Sequence, residues 1–125
     1  MMASLILPRS ISVAVTYEVL NYFLTAPAGG ITLPANTATD IGPATETWLD
    51  DTGATVTQFA VDVSTPPAGT QYAYQLIVDG QVQEEGLVTD VTATVLELTS
   101  VDAATIPADA RIVFTIFQVV TTYTS

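Results

Sequence analysis

The stretch Gln71–Val88, QYAYQLIVDGQVQEEGLV, decides how the rest of the chain is read. Tyr72, Tyr74, Leu76 and Val78 recur at every second position, the period of a strand and not of a helix. Asp79-Gly80 follows, and both residues tolerate the positive φ that a two-residue type I′ turn demands. The reading is a β-hairpin. Its second arm loses phase at Glu84-Glu85-Gly86, which predicts a bulge there.

Working outward, strand signals recur and helix signals do not. Ile11–Val19, ISVAVTYEV, alternates strictly, which predicts a strand with Ile11, Val13, Val15, Tyr17 and Val19 on a buried face. Thr25–Thr47 is punctuated by Pro27, Gly29, Gly30, Pro34, Gly42 and Pro43, so it reads as a long loop around a short strand at Ile31–Leu33. Thr55–Val63 predicts a strand with Phe59, Val61 and Val63 inward. Val91–Thr99 predicts another, and Ser100–Ala110 a helical turn or a crossing loop. Arg111–Val120 is apolar on both faces, which predicts a central strand covered on both sides or buried by another subunit. Short strands with turn signals between them indicate an all-β fold, an antiparallel β-sandwich of immunoglobulin-like or jelly-roll-like kind. Residues 1–10 read as an N-terminal arm and 11–125 as one sandwich domain.

Composition narrows the chemistry. The chain has 125 residues, enough for one core. Thirteen acids face two arginines, Arg9 and Arg111, with no lysine and no histidine, for a net charge of −11. Nucleic-acid binding needs cations to displace phosphate counterions, and an anionic membrane would repel this surface, so neither is an expected partner. No apolar run is long enough to span a bilayer, and MMASLILPRS lacks the basic region of a secretory signal; the expectation is a mature, soluble chain. Without His there is no Ser-His-Asp triad, without Cys or His no ordinary zinc site, and without Lys no Schiff base. Carboxylate chemistry and oxygen-ligand cation binding remain. The pairs Asp50-Asp51 and Glu84-Glu85 are the calcium candidates, but they match no EF-hand spacing and read as solvated turns. No cofactor, metal site or catalytic residue is expected.

One string resembles a catalytic motif. In WLDDTGATV, Trp48–Val56, the sequence Asp51-Thr52-Gly53 is similar to the active-site turn of aspartic proteases. That family places an apolar residue before the catalytic Asp, where this chain has Asp50, and a second negative charge disfavours a proton-sharing dyad. Asp-x-Gly is also ordinary turn chemistry. A dimeric protease at Asp51 is therefore the remote alternative.

Two further resemblances point to structure and assembly. From Thr55–Val63 through the hairpin to LELTSVDAATIPADARIVFTIF, the chain resembles an immunoglobulin-like or fibronectin-III-like module, with Leu98, Ile106, Pro107 and Ile112 at the sheet-crossing corner. It departs in lacking a disulfide, a corner tyrosine and a core tryptophan in the matching strands. A small, acidic, Lys-free and Cys-free β-domain with an arm also resembles a bacteriophage virion component of the capsid decoration type. That resemblance implies a homo-oligomer docked on a major capsid or other virion protein, located in the virion. The expected contacts are Leu5, Ile6 and Leu7 in the arm, with Tyr22, Phe23, Trp48, Phe117 and Val119. The alternative is a tail-tube or extracellular filament subunit joined by strand exchange.

Overall fold

The computed structural model describes residues 12–124. Strands β1 (Ser12–Thr25), β2 (Ile31–Leu33), β3 (Ala38–Asp40), β4 (Trp48–Leu49), β5 (Thr55–Val56), β6 (Thr70–Val78), β7 (Gln81–Val82), β8 (Val88–Val91), β9 (Leu96–Thr99), β10 (Ala104–Ile106) and β11 (Arg111–Thr124) follow in order. The fold is all-β and antiparallel, as expected. A six-stranded sheet has the order β5-β4-β1-β11-β6-β7, with the first and last long strands paired at its centre. The opposing layer holds a three-stranded sheet, β3-β9-β8, and a two-stranded one, β10-β2.

One hydrophobic core joins the layers. The large sheet contributes Tyr22, Leu24, Leu76, Ile112, Phe114 and Ile116 from one face. The opposing strands contribute Ile31, Leu33, Val91, Leu96, Leu98 and Ile106. Phe59 is the aromatic hub, with ring centroids 4.8 Å from Tyr22, 5.8 Å from Trp48 and 5.2 Å from Phe114. Such tilted and edge contacts add to the area buried. Buried polar groups are matched: Trp48 Nε1 donates to the Ile41 carbonyl at 2.7 Å, and the Ala60 N–H donates to the Tyr22 hydroxyl at 2.8 Å.

The hairpin forms as read. Asp79 has φ 49° and Gly80 φ 80°, the type I′ signature. Asp79 also ties the turn to the last strand: its Oδ1 accepts from the Arg111 N–H at 3.0 Å. Phase is lost through a 3-10 turn at Glu85–Leu87, and the bulge lies later, between Val88 and Asp90.

Several expectations are corrected. Thr55–Val63 is a strand only through Val56; the chain then folds inward so that Phe59 enters the core and its N–H bonds the Ala93 carbonyl at 2.6 Å. Val91–Thr99 is two strands joined by a turn, because the Thr92 hydroxyl accepts from the Thr94 and Val95 N–H groups. The long loop contains β3 as well as β2, and Ser100–Ala110 contains β10.

The largest correction concerns β1. Val13, Val15, Tyr17 and Val19 do not face a core: they are 53%, 43%, 77% and 49% exposed. Burial begins only at Leu20. The reason is length. At about 3.3 Å per residue, the 14-residue strands β1 and β11 run roughly 46 Å. The opposing strands have 3 or 4 residues and cover only one end. The other end, Ser12–Val19 with Phe117–Thr124, projects as an antiparallel ribbon flanked by β6 as far as Val120.

Candidate functional site

Paired residues of an antiparallel ladder point to the same side. The register opposes Val13 to Tyr123, Tyr17 to Val119, Val19 to Phe117 and Phe23 to Val113. All eight therefore share one face of the large sheet. The core residues Tyr22, Leu24, Ile112 and Phe114 lie on the other. Leu49 joins the outer face opposite Phe23, Ala73 opposite Phe117, and Val82 opposite Ile77. The outer face is thus mainly apolar along the ribbon and mixed over the body, where Asn21, Thr25, Thr115 and Arg111 share it.

Charge is distributed with the same sidedness. Of thirteen carboxylates, Glu18 is the one that lies in any strand of the large sheet, and it opposes Gln118 on the inner face. The remaining acids lie in turns, in the opposing layer or at strand ends. Arg111, the sole cation among the described residues, lies on the outer face with its guanidinium 5.0 Å from the Phe23 ring centroid. Inside this face Thr115 is buried, and its hydroxyl donates to Asn21 Oδ1 at 2.8 Å.

The expected contact residues divide sharply. Trp48 is 0% exposed and Tyr22 4% exposed within the single chain, so both belong to its own core and offer nothing to a partner. Phe23 and Val119 are half-buried on the outer face, and Phe117 is 38% exposed there. Leu5, Ile6 and Leu7 lie outside the described residues. Sequence reasoning missed Val13, Val15, Tyr17 and Tyr123 as surface residues. The available signal was the strand's length against the short runs elsewhere.

The Asp-Thr-Gly string is the turn between β4 and β5. Asp50, not Asp51, organises it: Asp50 Oδ1 accepts from the Thr52 hydroxyl at 2.6 Å, the Thr52 N–H at 2.9 Å and the Ala54 N–H at 3.2 Å. The Thr52 hydroxyl, then the backbone donors, hold the Asp50 carboxyl below the usual range. Gly53 takes φ 83° to close the turn. Asp62 is held low in the same way by the Ser64 hydroxyl. Burial pushes the Tyr22 hydroxyl up. Among the described residues no group of three or more acids converges. A concavity of about 480 Å³, open to solvent, lies beside β6 and includes Ala73, Gln75, Val82, Gln83 and Phe117.

Comparison of the chain with protein-family models, with curated proteins and with solved structures gave no match in any of the three.

Proposed function

We propose that this chain is a structural subunit that self-associates and lays its outer sheet face on a larger assembly, as a decoration protein of a virion surface. One observation carries the reading: the ribbon presents a mainly apolar outer face, and no described strand position on the outer face of the large sheet holds a carboxylate, in a chain of net charge −11. Mixed surfaces keep acidic chains soluble, and an apolar face kept clear of the chain's many carboxylates marks a contact surface. Self-repulsion of so acidic a chain is smallest where no acid stands in the contact.

Magnitude supports a partner. With whole-residue areas of about 150–250 Å², the exposed fractions of Val13, Val15, Tyr17, Val19, Phe117 and Tyr123 amount to roughly 650 Å² per copy. A standard interface takes about 800 Å² from each partner. One copy falls just short on these residues alone, and two joined copies exceed it. The virion setting rests on composition: an acidic chain without lysine or cysteine and with an apolar arm sequence at Leu5–Leu7.

Light scattering after size-exclusion, on the full chain and on a variant lacking residues 1–10, tests the reading. Self-association is expected in the full chain. A monodisperse monomer in both, across the accessible concentrations, would contradict it.

A further inference from the structure

The large sheet has an open edge. On one side β1 pairs with β11 along its whole length. On the other side, among the described residues, its ladder partner is β4, through a single pair, Phe23 with Leu49. The Asp50–Thr52 turn stands beside Leu20–Tyr22 and closes that end. Among the described residues, Ser12–Val19 has no ladder partner on its outer side, where every second residue turns its backbone N–H and C=O outward.

Proteins normally blunt such an edge with lysine, proline, a bulge or extreme shortness. This one has no lysine and no proline, and its register with β11 runs from Ser12 to Thr25 without a shift. Its one charge is Glu18.

Building on the assembly reading above, we propose that this edge is a subunit interface, occupied by the same edge of a second copy in antiparallel pairing about a two-fold axis. Self-complementarity selects the second copy. Centred at Thr16, the pairing sets Val13 against Val19, Val15 against Tyr17, and Thr16 against Thr16 of the second copy. Aromatic with β-branched, and Thr with Thr, are favourable cross-strand pairs. Glu18 then meets Ala14 rather than another carboxylate. A shift of one residue would place polar positions against the apolar stripe, so only registers in steps of two keep the faces matched.

The rival edge is the free part of β6. It carries Gln71, Ala73 and Gln75 on the outer face, a poorer match for Val13, Val15 and Tyr17. Pairing of β1 with β6 of another copy would be head-to-tail and would build a ring or an open filament, not a two-fold dimer. The two-fold pairing closes as a dimer. It also fuses two apolar outer faces into one surface, with the two bodies at opposite ends of the joined ribbon.

Two measurements on the full chain test this. Amide-resolved hydrogen exchange, followed against protein concentration, should show every second amide of Ser12–Val19 gaining at least tenfold protection as the dimer forms. The chain has no cysteine, so single substitutions report cleanly. Thr16→Cys should form a disulfide dimer on mild oxidation, while Ala14→Cys and Glu18→Cys alone should form several-fold less. A dimer whose edge amides stay unprotected, with no preferred cysteine position, would overturn the edge pairing and leave the assembly reading standing. Protection already complete in a monomer would show the chain covering its own edge, and would overturn the edge pairing as well. Concentration-dependent fibres in place of a closed dimer would favour the β1–β6 pairing and overturn the two-fold. A monomer at every concentration with unprotected edge amides would remove the assembly reading and this interface with it.

Discussion

β1 and β11 each live in two environments. From Leu20 to Thr25, and from Arg111 to Ile116, their inner face is core: Tyr22, Leu24, Ile112, Phe114 and Ile116 are at most 4% exposed. From Ser12 to Val19 the same inner face carries Ala14, Thr16 and Glu18 and meets solvent. The outer face is apolar on the ribbon, with Val13, Val15, Tyr17, Val19, Phe117 and Val119, and mixed over the body, where Phe23 and Val113 stand among Asn21, Thr25, Thr115 and Arg111. The inner face thus loses its apolar residues where the opposing layer ends, and the outer face gains them. Folding of the isolated chain explains the first and leaves the second unexplained. An apolar face where no core requires it is the ground of the assembly proposal.

Mutations in the two regions should therefore read out differently. In the body, Phe59→Ala removes the aromatic hub and should cost about 3–5 kcal/mol in denaturant unfolding, a large fraction of a domain's stability. Gly42→Ala comes next. An added Cβ would lie 2.5 Å from the Thr94 carbonyl oxygen and 2.6 Å from the Leu96 nitrogen, backbone atoms that cannot swing away. A loss of about 1–3 kcal/mol is expected, by the usual cost of overpacking. On the ribbon, Tyr17→Ala should change the stability of the monomer by no more than about 0.5 kcal/mol, since the ring is 77% exposed. The same change should weaken self-association, read from the concentration dependence of the sedimentation coefficient.

The smallest effects come from pH. Asp50 and Asp62 titrate below their ordinary value of 3.8 in the folded chain because hydroxyl and backbone donors favour the carboxylate. Their contribution is present above that value and is lost as pH falls through the lower folded values. Both are solvent-accessible, so the acid-side loss on Asp50→Asn should be slight. Tyr22 runs the other way. Its hydroxyl is raised above 10.0, mainly by burial, so its contribution holds below that pH and is lost as pH rises past it. Tyr22→Phe should flatten that alkaline loss in a stability profile between pH 9 and 11.

Much of the fold was legible in the sequence because local rules and tertiary structure agreed there. Asp79-Gly80 needs positive φ and takes it, and Tyr72, Tyr74, Leu76 and Val78 all fall on the inner face of the large sheet. Phe59 was legible as buried, but not as the residue that ends its strand, because the pull of an aromatic pocket is a tertiary effect. The split of Val91–Thr99 hung on one threonine hydroxyl closing a turn. The outer face was harder. Alternation separates two faces of a strand but does not say which one is covered. Val13, Val15, Tyr17 and Val19 read as core because apolar faces usually are. Trp48 read as a contact residue and is instead the bulkiest of the fully buried side chains, held by its own hydrogen bond to Ile41.

The division between body and ribbon is tested most directly by one pair of substitutions, Val15→Asp with Tyr17→Asp, measured for both unfolding and self-association. The two residues touch solvent in the single chain, and they sit at the centre of the apolar face. The expected result is a monomer whose denaturation midpoint matches that of the unassociated wild-type chain, with association reduced at least a hundredfold. Association that persists unchanged in this variant, or a chain that no longer folds, would contradict the assignment of the ribbon to assembly.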